Sequence, residues 1–338
     1  MGRVSIFIAA YNAEKTIINT IESILKQTYK YFDLFICDNG STDGTLNIIK
    51  NYCAKYDFIS YYSRKFNFTG SFMASLYGTL EKDNDGVIGY YKVDEYGEPV
   101  LNIQKWGEWV CYIDSDDTIQ PTYLEDMLSY ANDNLLDMVM CGWDFVRPNR
   151  VDHRIPEKYE VIYRNQFAER LPYYDKFMGP VWNKLFRVSS MAKNISYYEN
   201  KYAKLFKDGV YFYGADTAFN YFYLGGNLDK FGIVPKSLYN YYIHDVSASR
   251  KNFNPMRIIA DRRMAEVRLD FLQELGAEIT DENKEFIMNI YLKSSKSTME
   301  LILNDDRYDL KQKMANLHEM FDCDLMREVF PLQSKRYL

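Results

Sequence analysis

Short apolar segments alternate with amphipathic segments through the first 145 residues of this 338-residue chain. Five apolar segments predict buried strands: VSIFIAA (4–10), FDLFICD (32–38), FISYYS (58–63), EWVCYID (108–114) and DMVMCGWDF (137–145). Four segments between them predict helices: 12–27 with Asn12 as its cap, the residues after the NGSTDG turn, a stretch near 70–81, and the residues from Pro121. This alternation favours an α/β fold with a doubly wound, mostly parallel sheet and helices on both faces.

Polar residues follow three of the predicted strands at the point where each strand ends. Tyr11 and Asn12 follow the first, the run 38–41 (DNGS) ends the second, and the run 114–117 (DSDD) ends the fourth. In a doubly wound sheet, ligands bind beyond the carboxyl ends of the strands. The sequence therefore predicts one binding site built from three separate loops.

The segment CYIDSDDTIQP (111–121) places three carboxylates within four residues. Their repulsion is costly unless a cation, backbone donors or water absorb it. A divalent-metal site, a calcium loop and a solvated turn that caps the next helix are the three interpretations. The calcium loop is rejected because Ile119 stands where its sharp turn requires glycine, and Pro121 interrupts it. Capping is ordinary before a helix that starts with proline, but it uses one carboxylate and leaves two without a role.

Composition argues against several classes of protein. The net charge of −6 with no long basic run argues against a nucleic-acid partner. No apolar run approaches the roughly 20 residues needed to span a bilayer, and MGRVSIFIAA predicts a strand rather than a signal peptide. Five scattered cysteines without C-x-x-C spacing argue against a disulfide or zinc framework. We therefore expect a cytosolic protein with reduced thiols.

The remainder of the chain carries weaker patterns. Alternation in 82–106, around DEYGEP, predicts a β-hairpin, and the amphipathic segments from about 255 predict helices. The predicted division is 1–253 as the main domain, made of two parts (1–145 and 146–253), followed by a helical C-terminal region (254–338).

The segment 4–52, from VSIFIAAYN to NIIKNY, resembles the N-terminal half of glycosyltransferase family 2, which are inverting enzymes with the GT-A fold. Its start is similar to the family's S-x-I-x-P-A-Y-N, CDNGSTDG is similar to the D-D-G-S-T-D loop, and YIDSDD is similar to the D-x-D element. GPVWNKLFR (179–187), GADTAFN (214–220) and YNYYIHDVSASR (239–250) resemble later family elements more loosely. The resemblance implies transfer of a sugar from a nucleotide donor to an acceptor hydroxyl. It also implies that 1–253 is the glycosyltransferase domain, with 1–145 as its nucleotide-binding half and 146–253 as its acceptor side.

The resemblance also implies roles for individual residues. Those implied to bind the nucleotide are Ala10, Tyr11, Asp38, Asn39, Asp114 and Ser115. Those implied to hold Mn²⁺ or Mg²⁺, hard cations that prefer oxygen ligands, are Asp116 and Asp117, with His244 as an extra ligand. Asp216 matches the family's general base, although an aspartate before AFNYFYL could equally cap a helix. Trp182 in VWNKLF fits either an acceptor floor or core packing.

Three positions depart from the family pattern. Ala10 replaces the strand-ending proline, and Ala215 stands where the family often has glutamate before its base. Asn39 replaces the second aspartate of the nucleotide loop, a position at which the family accepts a hydrogen bond from the imide of uracil. The asparagine carbonyl can accept the same bond, whereas its NH₂ group could donate to a different base.

We therefore expect a metal-dependent inverting glycosyltransferase with a nucleotide-sugar donor, UDP-linked by the family's pattern. Its expected acceptor is a glycan, a lipid-linked glycan or a protein, in surface polysaccharide or glycoconjugate synthesis. The expected location is cytoplasmic, at the inner face of a membrane with peripheral contact. A catalytically inactive nucleotide-sugar-binding protein is the alternative, suggested by Asn39 and Ala215. A nucleotidyltransferase would be expected to have a Gly-rich basic loop, which AAYNAEK lacks.

Overall fold

The computed structural model describes residues 2–63, 79–83, 86–90, 106–193, 214–225, 228–243 and 253–325. Two compact units share the chain, each made of separate segments. The first comprises Met1–Arg164, Pro180–Ile195 and Asn227–His244, and the second comprises Asn165–Gly179, Ser196–Gly226 and Asp245–Leu338. The division of the chain after 145 and after 253 stays a prediction.

The strands of the described residues all belong to the first unit. They are β1 Val4–Ala10, β2 Phe32–Asp38, β3 Ile59–Ser63, β4 Thr79–Asp83, β5 Gly86–Tyr90, β6 Trp109–Asp114, β7 Thr118–Ile119, β8 Met138–Arg147, β9 Arg150–Arg154, β10 Glu160–Tyr163, β11 Lys184–Arg187 and β12 Lys230–Tyr242. The α-helices are α1 Ile17–Leu25, α2 Thr45–Lys55, α3 Tyr123–Asp133, α4 Leu171–Met178, α5 Val188–Lys193, α6 Ala215–Gly225, α7 Met256–Glu274, α8 Asp281–Asn304 and α9 Leu310–Phe321.

One large sheet organises the first unit. Within the described residues its strand order is β10-β12-β8-β11-β6-β1-β2-β3, with β7 beside β12 and β9 beside β8. Strands β1, β2, β3 and β6 are parallel. Because β11 is antiparallel to both β6 and β8, and β12 is parallel to β8, the strands β8 and β12 run in the direction of β1. The carboxyl ends of β1, β2, β6, β8 and β12 therefore lie along one edge of this sheet.

The central strands of the first unit are buried in its core, and this is why their sequences are continuous apolar runs. In β1, Val4, Ile6 and Ile8 are fully buried, and in β6 every residue from Trp109 to Ile113 is buried. Helix α1 buries Ile17, Ile21 and Ile24, which its period places on one face. Full burial of a side chain of this size contributes about 1.5–3 kcal/mol.

Two local predictions were wrong. The helix predicted over 12–27 begins at Ile17, and Thr16 rather than Asn12 is at its N-cap. The end of the helix predicted near 70–81 is strand β4, while 70–78 lie outside the described residues. Strand β4 pairs with β5 in an antiparallel two-stranded sheet. The hairpin predicted over 82–106 around DEYGEP stays a prediction, because 91–105 lie outside the described residues.

The described part of the second unit is helical. Helix α7 packs against α6 and α8, and α8 also packs against α9. A buried ion pair joins α4 to α7, where Arg268 Nε donates to Asp175 Oδ1 at 2.6 Å. Tyr221 of α6 donates to the same oxygen at 2.6 Å. No helix within the described ranges is long and apolar enough to cross a membrane.

Candidate active site

The loops after β1 and β2 are tied together by hydrogen bonds. The Asn12 backbone N–H donates to Ser41 Oγ at 2.9 Å, and its side-chain Oδ1 accepts from the Thr42 N–H at 2.8 Å. Nearby, the Ala13 N–H donates to Thr45 Oγ1 at 2.7 Å. Asn12 has a φ of 50°, in the left-handed region that asparagine tolerates better than most residues. Asn12 therefore joins two strand-end loops, which explains why its side chain does not cap α1.

The nucleotide loop (residues 38–43) is shaped by a buried carboxylate. Asp38 is 1% exposed, accepting from the Ser41 N–H at 3.2 Å and from the Ser63 hydroxyl at 2.8 Å. Asn39 is 4% exposed, and its backbone N–H donates to the Ala10 carbonyl at 2.8 Å. Tyr11, in contrast, is 45% exposed. The structure thus brings the predicted nucleotide-binding residues of β1 and β2 to one place.

The acid loop (Asp114–Asp117) follows β6 at the same edge of the sheet. Asp114 and Asp116 are exposed, Ser115 is half-buried, and Asp117 is fully buried. Helix α3 begins at Tyr123 with Thr122 at its N-cap, so no carboxylate of the loop caps it. The helix-capping interpretation is therefore wrong.

Asp117 is held by β12. Its Oδ2 accepts from the Tyr239 hydroxyl at 2.9 Å, and its Oδ1 accepts from the Tyr242 backbone N–H at 2.8 Å. Burial, followed by the charges of Asp114 and Asp116, raises the pKa of Asp117 to about 9. The two hydrogen bonds favour the charged form but do not outweigh these causes. Chemically identical side chains within one four-residue loop thus differ sharply in environment.

An aromatic stack lies behind this contact. The Trp182 ring stacks on Tyr239 with centroids 4.1 Å apart and planes at 17°, and on Tyr241 at 5.6 Å and 12°. Trp143 meets Trp182 edge-on at 5.1 Å. Trp182 is only 7% exposed, so most of its surface serves packing. Tyr239 was not among the candidate site residues predicted from the sequence. The aromatic residues of YNYYI (239–243) were the signal that could have indicated it.

Asp216 belongs to the second unit, whereas the acid loop belongs to the first. It is half-buried in the first turn of α6, which begins at Ala215 after Gly214 with a φ of 79°. Asp216 thus lies inside the helix and not at the N-cap position, and the helix dipole favours a carboxylate in this turn. His244, the extra metal ligand implied by the resemblance, lies outside the described residues.

The donor atoms of the acid loop fit a hard divalent cation. Among the described residues, no group of three His, Cys, Asp or Glu side chains is placed to hold a metal. A nucleotide-bound Mg²⁺ needs no such group, because one or two carboxylates suffice when phosphates and water complete the shell. The exposed carboxylates of Asp114 and Asp116 at a strand end meet this requirement.

Comparison with known proteins agrees with this geometry. Residues 5–89 and 106–194 match the family described as glycosyl transferase family 2, which covers more than half of the chain. The chain belongs to glycosyltransferase family 2. The family, the GT-A-type fold and the enzyme class expected from the sequence are therefore confirmed.

Two relatives of this family 2 enzyme illustrate its similarities. The "Putative glycosyltransferase EpsH" of Bacillus subtilis is 26% identical over 301 residues, covering 86% of this chain and 75% of EpsH. The "UDP-Glc:alpha-D-GlcNAc-diphosphoundecaprenol beta-1,3-glucosyltransferase WfaP" of Escherichia coli is 57% identical over 49 residues, covering 14% of this chain and 20% of WfaP.

A solved structure is similar in fold to this family 2 enzyme. TarS 1-349 of S. aureus, crystallised with UDP-GlcNAc, superposes with a TM-score of 0.53 at 15% identity. The match covers 98% of this chain and 92% of the TarS chain.

Proposed function

We propose that this enzyme transfers a sugar from a uridine diphosphate sugar to a glycan hydroxyl, with inversion, and that it requires Mn²⁺ or Mg²⁺. The observation that carries the proposal is the meeting of three strand-end loops at one sheet edge, two exposed carboxylates among them. TarS was solved with UDP-GlcNAc and WfaP is named for UDP-Glc, which supports a uridine donor.

In this proposal the exposed members of the acid loop serve the diphosphate and the ribose. Asp116 would hold the cation, and Asp114 would contact the ribose or support Asp116. A bound cation neutralises the charge that develops on the leaving diphosphate. The Asp117 carboxylate is fully buried with both oxygens accepting hydrogen bonds from β12, so we assign it to anchoring the loop.

The nucleotide loop would receive the base. Tyr11, the exposed aromatic of this edge, offers a ring to flank the uracil. The Asn39 side-chain carbonyl accepts from the Cys37 thiol at 3.5 Å, a long and weak contact that a uracil imide can replace. Asp38 would act indirectly, because its carboxylate holds the loop from within.

The general base is assigned to Asp216. Inversion needs a group that takes the acceptor's proton while the acceptor oxygen attacks from the face opposite the diphosphate. Such a base must come from outside the acid loop, and GADTAFN supplies a half-buried carboxylate. Partial burial raises the basicity of a carboxylate, which suits this role.

The relatives also support a class of acceptor and a setting. WfaP is named for a diphosphoundecaprenol-linked acceptor, which supports a lipid-linked glycan and a role in polysaccharide synthesis. A lipid-linked acceptor would place the enzyme at the inner face of a membrane by peripheral contact. A binding protein without catalysis is the second candidate, and Ala215 at the family's glutamate position favours it.

The test is calorimetric titration of the purified protein with UDP-sugars, with and without Mn²⁺, followed by turnover assays. Asp116→Ala should lose metal-dependent binding while keeping its fold, because Asp116 is an exposed loop residue. Asp57→Ala is the matched control, since Asp57 is also exposed but precedes the amino end of β3. Unchanged affinity of Asp116→Ala in Mn²⁺ would refute the metal site. Donor binding with no turnover on any glycan acceptor would favour the non-catalytic candidate.

A further inference from the structure

We propose that Tyr239 is a positioning residue that sets the shape of the acid loop, an inference that rests on the proposed function of that loop. Its hydroxyl contacts both ends of the loop. It accepts from the Asp114 backbone N–H at 3.1 Å and donates to Asp117 Oδ2 at 2.9 Å. One oxygen atom thus joins the first and last residues of the segment that carries Asp116.

Two further bonds complete the closure of the loop. The Asp117 backbone N–H donates to the Asp114 carbonyl at 3.2 Å, which closes a four-residue turn. The Tyr242 N–H donates to Asp117 Oδ1 at 2.8 Å. Both ends of the turn are therefore fixed, and the residues between them, Ser115 and the exposed Asp116, are presented to a ligand.

Tyr239 is itself held rigidly. It is fully buried, its ring stacks on Trp182 at 4.1 Å, and its backbone pairs with Ile119 on one side and Trp143 on the other. Its strand is thus paired along both edges and its ring is stacked, so the side chain has little freedom to follow the loop. The loop must instead conform to Tyr239, and this preorganises a cation site before the donor arrives.

This arrangement gives Asp117 a defined role. As the partner of the Tyr239 hydroxyl, Asp117 sets where Asp116 lies but does not bind the cation. Tyr239 and Asp117 should then act as one unit. Their effects on metal-dependent donor affinity should be strongly non-additive, whereas two independent groups would give additive losses.

The experiment compares Tyr239→Phe, Asp117→Asn and the double variant by titration with UDP in the presence and absence of Mn²⁺. Each single variant should weaken the Mn²⁺-dependent part of UDP binding about 10-fold, the scale of one lost hydrogen bond, and the double variant should weaken it little further. Additive losses, or wild-type affinity in a folded Tyr239→Phe, would overturn the proposal. Tyr52→Phe is the matched control, since the Tyr52 hydroxyl donates to Glu22 at 2.7 Å on helices away from the loop.

A second measurement separates this inference from the proposed function. Hydrogen exchange of the Asp114 amide is read in the ligand-free protein, with the melting temperature recorded alongside. Tyr239→Phe removes the acceptor of that amide, so its exchange should accelerate about 10-fold, with no such change in Tyr52→Phe. If exchange accelerates in Tyr239→Phe but the wild-type protein binds no UDP, the proposed function is refuted and Tyr239 remains a positioning residue of the loop. Unchanged exchange of the Asp114 amide in Tyr239→Phe would refute the positioning role of Tyr239, whether or not the protein binds UDP.

Discussion

Removing the Asp38 carboxylate should destabilise the first unit while leaving every apolar contact of β2 in place. The side chain is 1% exposed and accepts two hydrogen bonds, from the Ser41 N–H at 3.2 Å and the Ser63 hydroxyl at 2.8 Å. Hydrogen bonds to a charged group each contribute about 1.5–3 kcal/mol. Asp38→Ala should therefore lower the free energy of unfolding by roughly 3–5 kcal/mol, since the longer of the two bonds is the weaker.

Ser63→Ala removes only one of these bonds and should cost about 1–2 kcal/mol. The loss of roughly 3–5 kcal/mol expected for Asp38→Ala is a large share of an ordinary domain's stability, so that variant can fail to fold. Ser63→Ala then still measures one of the two hydrogen bonds. Asp38→Asn retains one acceptor oxygen and turns an NH₂ group toward the other donor. Its cost should fall between those of the other two variants.

The assay is urea denaturation of the ligand-free protein, followed by UDP titration of each variant that folds. Nucleotide affinity should fall in the same order as stability, because in the proposed function Asp38 holds the loop that receives the base. A double-mutant cycle between Asp38 and Ser63 should give a coupling energy of about 1–2 kcal/mol, the full cost of Ser63→Ala, because that variant should cost almost nothing once Asp38 is absent. A cost below about 1 kcal/mol for Asp38→Ala would refute the view that this carboxylate holds the nucleotide loop.

Four other outcomes are expected. Asp216→Asn should lower turnover by a factor on the order of 10²–10⁴ with donor affinity nearly unchanged, and near-normal turnover would remove Asp216 from the mechanism. In competition among UDP, GDP, CDP and dTDP, UDP should bind best, and a clear preference for GDP would contradict the base pocket. With the pKa of Asp117 raised from 3.8 to about 9, the metal-free folded state holds a proton that the unfolded state releases. Stability should therefore fall as pH rises across that window, by up to about 1.4 kcal/mol per pH unit, and Asp117→Asn, compared by denaturation at pH 5 and 8, should lose this slope. Asp175→Ala should cost about 3–5 kcal/mol in denaturation, because it strands a buried Arg268, and a loss below about 1 kcal/mol would count against that pair.

The sequence alone determined the central strands and the loops that follow them. Strands β1 and β2 occupy the predicted ranges, and β6 differs by one residue. These strands are covered on both faces, so a continuous apolar run is sufficient to mark them, and a polar run marks their ends. Parallel strands bring their carboxyl ends together, and this is why the order of residues along the chain suffices to assign the three polar loops to one site.

Tertiary structure decided what no local pattern encodes. The segment KLFR is too short to show a period, and it becomes strand β11 because it lies between β6 and β8. Likewise Thr79–Asp83 forms a strand by pairing with Gly86–Tyr90, although its pattern predicts the end of a helix. A strand needs a partner for its backbone groups, and that partner is supplied by other parts of the chain.

In the acid loop, too, the sequence determines one part and the tertiary structure another, here for single side chains. Three aspartates in four residues indicate a charged site, but no local pattern tells them apart. The distinction comes from β12, whose Tyr239 and Tyr242 lie 122 and 125 residues further along the chain from Asp117. Burial beneath this strand makes Asp117 a hydrogen-bonded anchor, while Asp114 and Asp116 stay exposed at the strand end. Which carboxylate faces a ligand is thus a property of the packed sheet, because desolvation and hydrogen-bond partners are set by residues distant in sequence.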